Sequence, residues 1–376
     1  MKRIGLIMAG GAGERFWPQS RKHFPKQLLH LNSEDYSMLE ETLIRISSLI
    51  PIENIFIITT ELLCVSIRKC LPQLPPENVI SEPEKRNTAP CLVLSSAFLQ
   101  AKFPNEEISV AVLTADQNIY PNEKFIESVQ EAMQYSENYN KLVTIGITPT
   151  RPDTGYGYIE TETNFNNDDT IEIKPVLRFR EKPNLEQAKL FLESGCFTWN
   201  SGMFFWKLST FDNEIKKYNS ELGNAISEFK RLLNDIGIAN KTNIPINKFD
   251  DKIASLYHQL PTTSIDYALM EKSDNVSVCK SLFAWDDIGA WDSLFRTKKL
   301  DEKGNVLRGK LSMLDCQDTI LINECKDKKV VLAGLGLENI VVITTDDAVL
   351  VCDKNKVQDI KNIVEDIRNN FGEEHL

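Results

Sequence analysis

The residues of this chain best suited to chemistry are a glycine run followed by cations, and aspartates that close apolar runs. Gly10-Gly11-Ala12-Gly13-Glu14-Arg15 follows the apolar run Ile4–Met8, and Arg21, Lys22 and Lys26 come next. Glycines let backbone N–H groups approach an anion closely. Arg neutralises phosphate with a planar fork and Lys with a point charge. A triphosphate suits both features, whereas a purely structural reading leaves a turn with solvated basic residues. Two phosphate loops are excluded. The dinucleotide fingerprint needs glycine at 16, where Phe16 stands, and the G-x-x-x-x-G-K-[ST] loop is absent. Asp116 follows the apolar run Ser109–Thr114, and Asp286-Asp287 supplies carboxylates from far along the chain. Two carboxylates with phosphate oxygens and water make a site for Mg2+, a hard cation that takes few protein ligands.

Elements must position these groups. Ile4–Met8, Ile55–Thr59, Ser109–Thr114 and Leu142–Ile147 read as buried strands. Met38–Leu49, Leu62–Leu71, Thr88–Ala101 and Phe125–Tyr135 read as helices, the third capped by Asn87 or Thr88 with Pro90 in its first turn. Alternating strands and helices imply an α/β fold with a mostly parallel sheet, whose ligands bind beyond the carboxyl ends of the strands. From about residue 151 the order changes. Gly155–Glu160, Val176–Arg180, Met203–Lys207 and Ser281–Ala284 read as strands, Asn213–Leu233 as largely helical, and 238–250 as a polar, irregular insert. After residue 300 come short apolar stretches, Thr319–Ile322, Val330–Ala333, Ile340–Thr344 and Ala348–Cys352, as in a small all-β module. A closing helix, Val357–Phe371, carries Val357, Ile360, Val364, Ile367 and Phe371 on one stripe, which either docks on its own chain or forms a homodimer.

Composition bounds the function. The 376 residues suit one large domain and a smaller one, placed at 1–300 and 301–376. A net charge of −11 argues against nucleic acid as partner. Eight cysteines form no C-x-x-C pair and no zinc spacing, as for free thiols in a reducing cytoplasm. No apolar run is long enough to span a membrane, and the N-terminal run is too short for a signal peptide.

Residues 8–27, MAGGAGERFWPQSRKHFPKQ, resemble the signature of nucleotidyltransferases that activate sugar 1-phosphates. The forms Phe16-Trp17-Pro18 and Phe24-Pro25-Lys26-Gln27 are similar to the mannose-1-phosphate guanylyltransferase branch, and the likeness covers most of residues 1–365. It implies a Rossmann-like core with a mixed, mostly parallel sheet and a C-terminal β-helix-like module. It also implies roles. Gly10, Gly11, Gly13, Arg15 and Lys26 would hold nucleotide phosphates, and Asp116 and Asp287 the Mg2+ ion. Asp286 sits at a more variable position and is expected to be supporting or solvated. Glu82, Arg86, Asn87 and Thr88 match the second nucleotide segment, in which Lys85 replaces the glycine of many relatives; Asn87 and Thr88 serve equally as helix caps. Gly157, Glu181, Lys182 and Asn200 match the sugar-phosphate segments, with Lys182 on the phosphate. Asp266 and Glu271 resemble bracing carboxylates, without a direct role.

The reaction so implied is GTP plus α-mannose 1-phosphate giving GDP-mannose and pyrophosphate, catalysed by Arg15, Lys26, Lys182, Asp116 and Asp287. Many bacterial relatives continue into a phosphomannose isomerase domain that this sequence does not match, so no isomerase activity is expected. Three rivals stay open: the same chemistry on another hexose or heptose phosphate or another nucleotide, a catalytically silent regulatory homologue, and a nicotinamide-dependent oxidoreductase, which Phe16 opposes.

Overall fold

The computed structural model describes residues 1–166, 170–240, 250–327 and 329–376; most of the insert read at 238–250 lies outside them. Two compact units emerge, and they do not follow the order of the chain. Met1–Gly10, Leu43–Thr114 and Ile119–Trp285 make the first; Gly11–Thr42, Ala115–Asn118 and Asp286–Leu376 make the second.

The first unit is organised by a ten-stranded mixed sheet. Its main path runs Val79–Glu82, Ile55–Thr60, Lys2–Met8, Ile108–Thr114, Phe197–Lys207, Leu142–Ile147, Val276–Lys280, Ile173–Pro175. The first four strands are mutually parallel, and their apolar runs are buried, as a sheet covered on both faces requires. Parallel pairing puts their carboxyl ends on one edge, where Gly10 and Glu82 lie. Phe197–Lys207 runs antiparallel to both neighbours, with a register shift between Asn200 and Phe204. Gly202, at φ +72°, makes that irregularity, which is why the strand starts earlier than the apolar run from Met203 suggests.

Thr88–Lys102 is buried on nearly every side from Ala89 to Ala101, as expected of a helix apolar all round. Asn213–Leu233 proves to be two helices, Leu208–Tyr218 and Ser220–Asp235, because Asn219 accepts the Leu222 N–H and caps the second. The strand expected at Ser281–Ala284 lies instead at Ala284–Asp286, and Val276–Lys280 takes the buried place beside Leu142–Ile147.

The second unit carries a four-stranded sheet, Val306–Arg308, Ile320–Asn323, Ile340–Thr344 and Val349–Asp353, and a pair, Leu311–Leu314 with Leu332–Leu335. Successive coils pair in parallel, which is the stacking of a short β-helix. The closing helix, Ile360–Phe371, follows a 3-10 turn. Of its stripe, Val357, Ile360 and Val364 are buried with Phe16, Trp17, Ile288 and Trp291, Ile367 packs against them, and only Phe371 stays largely exposed. The stripe therefore docks on its own chain; each fully buried Val or Ile contributes about 1.5–3 kcal/mol relative to exposure. Among the described residues no helix is long and apolar enough to cross a membrane.

Candidate active site

In the second unit the chain turns after the first strand through Gly13, at φ +65°. A Cβ at Gly13 would overlap the backbone and Cβ of Lys26, so this glycine is required by the close passage of Lys26. Ser20 Oγ donates to the Gly13 carbonyl at 2.8 Å and fixes the turn. Lys26 is 6% exposed. Its ammonium donates to Asp116 Oδ2 at 3.0 Å and to the Asp287 carbonyl at 2.6 Å. Three residues spread over some 260 positions thus meet at one buried cation. The Asp116 side chain is 39% exposed, so its carboxylate stays within reach of a ligand. Gly11 has open space where a Cβ would stand, and Arg15 is exposed in the short turn Glu14–Phe16.

The Asp287 turn is unusual. Ile288 is fully buried at φ +44°, a conformation that costs a β-branched residue roughly 1–3 kcal/mol. Asp286, read from sequence as supporting or solvated, is 7% exposed and grips Arg296: Nε to Oδ2 is 2.7 Å and Nη2 to Oδ1 is 3.1 Å. The Asp287 carboxylate lies over Gly289, 3.2 Å from the position of an added Cβ.

Two cations of the signature do other work. Arg21 pairs with Asp347 at 2.6 Å and donates to the His375 carbonyl, and Lys22 pairs with Glu373 at 2.6 Å. Both are thus paired with acidic groups of the C-terminal segment.

In the first unit, Glu82 ends its strand 5% exposed, with Oε2 accepting the Tyr257 hydroxyl at 2.8 Å. Burial pushes its carboxyl up to about 7, against the Tyr257 hydrogen bond. Its other oxygen lies 3.2 Å from where a Cβ on Gly10 would stand. Arg86 pairs with Glu84 and donates to the Leu260 carbonyl at 2.6 Å. Hydrogen bonds from His258 and Arg86 hold Glu84 below the usual carboxylate range. Asn87, at φ +69°, accepts the Thr88 N–H and caps the following helix, while Thr88 Oγ1 accepts the Ile265 N–H. Both are engaged as capping and bracing groups, and Lys85 is exposed.

A second cluster forms around Asn200. Its Nδ2 donates to Asp266 Oδ1 at 2.8 Å, and its Oδ1 accepts from Thr144 Oγ1 and the Gly202 N–H. A Cβ on Gly157 would lie 2.5 Å from Glu181 Oε2, so Gly157 makes room for that carboxylate. Lys182 Nζ lies 3.2 Å from Glu181 Oε1, its side chain 64% exposed and its φ at +47°. Burial first, then the Glu181 charge, pushes Asp266 up to about 6. Asp266 opens a single π-turn, Asp266–Met270, a rare element often found at functional sites. Sequence reasoning gave it a bracing role without naming a partner; here it holds the Asn200 amide. Beside this cluster Tyr156 packs edge-on against Trp199 and Trp285, and Arg151 donates to its hydroxyl.

These clusters can hold anions, a hard cation and a polyhydroxylated ligand, and the kinship of the chain agrees. Residues 4–304 match the nucleotidyl transferase family model, and residues 313–367 match the mannose-phosphate isomerase/GMP-like β-helix domain. A mannose-1-phosphate guanylyltransferase of Escherichia coli is 34% identical over 99% of this chain and 77% of its own length. The chain belongs to the nucleotidyl transferase family, among its mannose-1-phosphate guanylyltransferases. Another such guanylyltransferase, from Klebsiella pneumoniae, is 36% identical over 99% of this chain and 75% of its own. A solved structure from Thermus thermophilus, described as a mannose-1-phosphate geranyltransferase, superposes with a TM-score of 0.82 at 28% identity, covering 98% of this chain and 100% of that one. The nucleotidyl transferase match thus takes in both Lys26 and Asp287, and the β-helix match covers the coils described above.

Proposed function

We propose that this chain transfers a guanylyl group from GTP to α-mannose 1-phosphate, giving GDP-mannose and pyrophosphate. The observation that carries the reading is the Lys26 ammonium gathering Asp116 and Asp287, in a chain related along its length to guanylyltransferases. The same chemistry on another sugar 1-phosphate or nucleotide is the runner-up.

An oxygen of the sugar phosphate attacks the α-phosphorus of GTP; a new P–O bond forms as the bond to the β-phosphate oxygen breaks, and pyrophosphate leaves. The attacking group is already an anion, so positioning and charge neutralisation carry the catalysis. In this reading Lys26 and Arg15, with the amides of Gly10, Gly11 and Gly13, hold the β- and γ-phosphates. Lys182 orients the attacking phosphate. Gly157, Glu181 and Asn200 bind sugar hydroxyls, Asn200 being able both to donate and to accept. Glu82, Arg86, Asn87 and Thr88 form the nucleotide side.

The donor set at Asp116 and Asp287 suits Mg2+. Both are hard carboxylate ligands, the Asp116 side chain is 39% exposed, and Mg2+ takes one or two carboxylates and fills its shell with phosphate oxygens and water. Bound there, the ion supplies charge neutralisation at the reacting phosphates. Asp116 and Asp287 would hold it, beside the Lys26 ammonium that binds the Asp116 carboxylate and the Asp287 carbonyl.

We place the enzyme in the cytoplasm. We also propose a homodimer, checked by light scattering; it would use surfaces other than the docked stripe. The deciding assay is pyrophosphate release with Mg2+ across GTP, ATP, UTP and CTP, each with mannose 1-phosphate or glucose 1-phosphate. Release confined to GTP with mannose 1-phosphate is expected. Activity with another pair moves the substrate and keeps the chemistry; silence throughout favours an untested sugar phosphate or a regulatory homologue.

A further inference from the structure

Asp287 sits in a turn that its neighbours force into shape. Ile288 occupies the left-handed region at φ +44° with its side chain fully buried. A β-branched residue stays there only when its surroundings over-determine it. Two contacts do so. The side chain belongs to the apolar cluster of Phe16, Trp17, Trp291 and Leu294. Its N–H donates to Asp286 Oδ1 at 2.9 Å.

Asp286 is in turn fixed by Arg296. The guanidinium takes both carboxylate oxygens, at 2.7 and 3.1 Å, and lies 3.6 Å from Asp292 on its other side. A two-pronged fork sets orientation as well as distance. It therefore decides where Oδ1 stands, and Oδ1 decides where the Ile288 N–H points. With that peptide fixed, the preceding residue has little freedom. Its carbonyl is turned to Lys26 Nζ at 2.6 Å and its carboxylate lies over Gly289.

We propose that Asp286 and Arg296 are a positioning pair, holding the Asp287 carboxylate in the orientation that receives a divalent cation together with the nucleotide. The inference rests on the reading of Asp287 as a cation ligand. Supporting groups of this kind typically change metal affinity by about 10–100-fold when altered.

The test uses the full chain and Mn2+ as probe, with free Mn2+ followed by electron paramagnetic resonance in the presence of GTP. Asp286→Asn keeps an acceptor for Ile288, and Arg296→Lys keeps the charge, so each removes the fork with little change in packing. Each should weaken the apparent Mn2+ affinity about tenfold or more. Each should also lower kcat and leave KM for the sugar phosphate unchanged. The double variant should lose no more than the worse single one, as for residues that act as a unit. Val364→Ala, in the same apolar cluster, is the stability control: it should lower Tm and leave Mn2+ affinity unchanged. The proposal is overturned if the fork variants lower Tm but bind Mn2+ like the unmutated protein, or if Val364→Ala weakens Mn2+ equally. Failure of the unmutated protein to bind Mn2+ with GTP overturns the underlying reading of Asp287 instead.

Discussion

The two sets of carboxylates in this molecule are kept in opposite ways. The Lys26 ammonium binds the Asp116 carboxylate and the Asp287 backbone carbonyl, with the Asp116 side chain still open to ligand. Asp266 and Glu82 are buried with neutral partners, the Asn200 amide and the Tyr257 hydroxyl, and their carboxyls rise to about 6 and about 7. The first arrangement brings a cation and a carboxylate together. Such a pair is fitted to assemble phosphates and a metal. A carboxyl buried against an amide or a hydroxyl is fitted to read hydroxyl or amide groups, and it responds to pH. The contrast separates charge handling from ligand recognition within one chain.

The contrast breaks most visibly at its cation. Lys26→Ala should reduce pyrophosphate release by roughly 10²–10³-fold or more, the usual loss when a charge-stabilising donor is removed. Turnover near that of the unmutated protein would take Lys26 out of the mechanism. Asp287→Asn should come next, with a loss of about 10²-fold and a weakened Mg2+ dependence. The substitution keeps the backbone carbonyl that Lys26 uses, so normal turnover would assign the role of position 287 to that carbonyl alone.

On the recognition side, Asn200→Ala leaves Asp266 without its amide donor. Leaving a buried polar group unpaired costs about 1–3 kcal/mol. The expected effect is a fall of about ten- to a hundredfold in kcat/KM for the sugar phosphate, with KM for GTP unchanged. Equal losses for both substrates would merge the two clusters into one function.

The smallest effect is thermodynamic. The Asp266 carboxyl titrates near 6 in the fold and near 3.8 when unperturbed. Between those values the native state keeps a proton that the unfolded chain has lost, so this group's contribution to stability falls as pH rises through the window. Asp266→Asn should therefore lose less Tm than the unmutated protein between pH 4 and pH 6. Parallel Tm profiles would show that Asp266 does not titrate there.

Much of this was legible in the sequence, for identifiable reasons. Ile55–Thr60, Ile108–Thr114 and Leu142–Ile147 are continuous apolar runs, and a parallel sheet buried on both faces leaves no other place for them. The glycine turn was legible because it directly follows such a run. Lys26, Asp116 and Asp287 share no local pattern, and only resemblance brought them together. Asp286 was undervalued because its partner, Arg296, stands ten residues on in the one-turn helix Leu294–Thr297, which no periodicity announces. The ion pairs of Arg21 and Lys22 were illegible for the same reason: Asp347 and Glu373 lie more than 300 residues away. Asp266 was missed as a contact of Asn200 because a π-turn, rather than a regular helix, sets its direction.

The division of the chain also bears on its synthesis. Phe16, Trp17 and Leu29 find their apolar partners in Ile288, Trp291, Val306 and Val364. Chains emerge from the ribosome at roughly 5–20 residues per second, so the glycine turn waits on the order of tens of seconds for the groups that seat it. Until the closing helix is made, the glycine turn lacks part of the apolar cluster that seats it. A chain lacking that helix is then a natural client for chaperones and proteases.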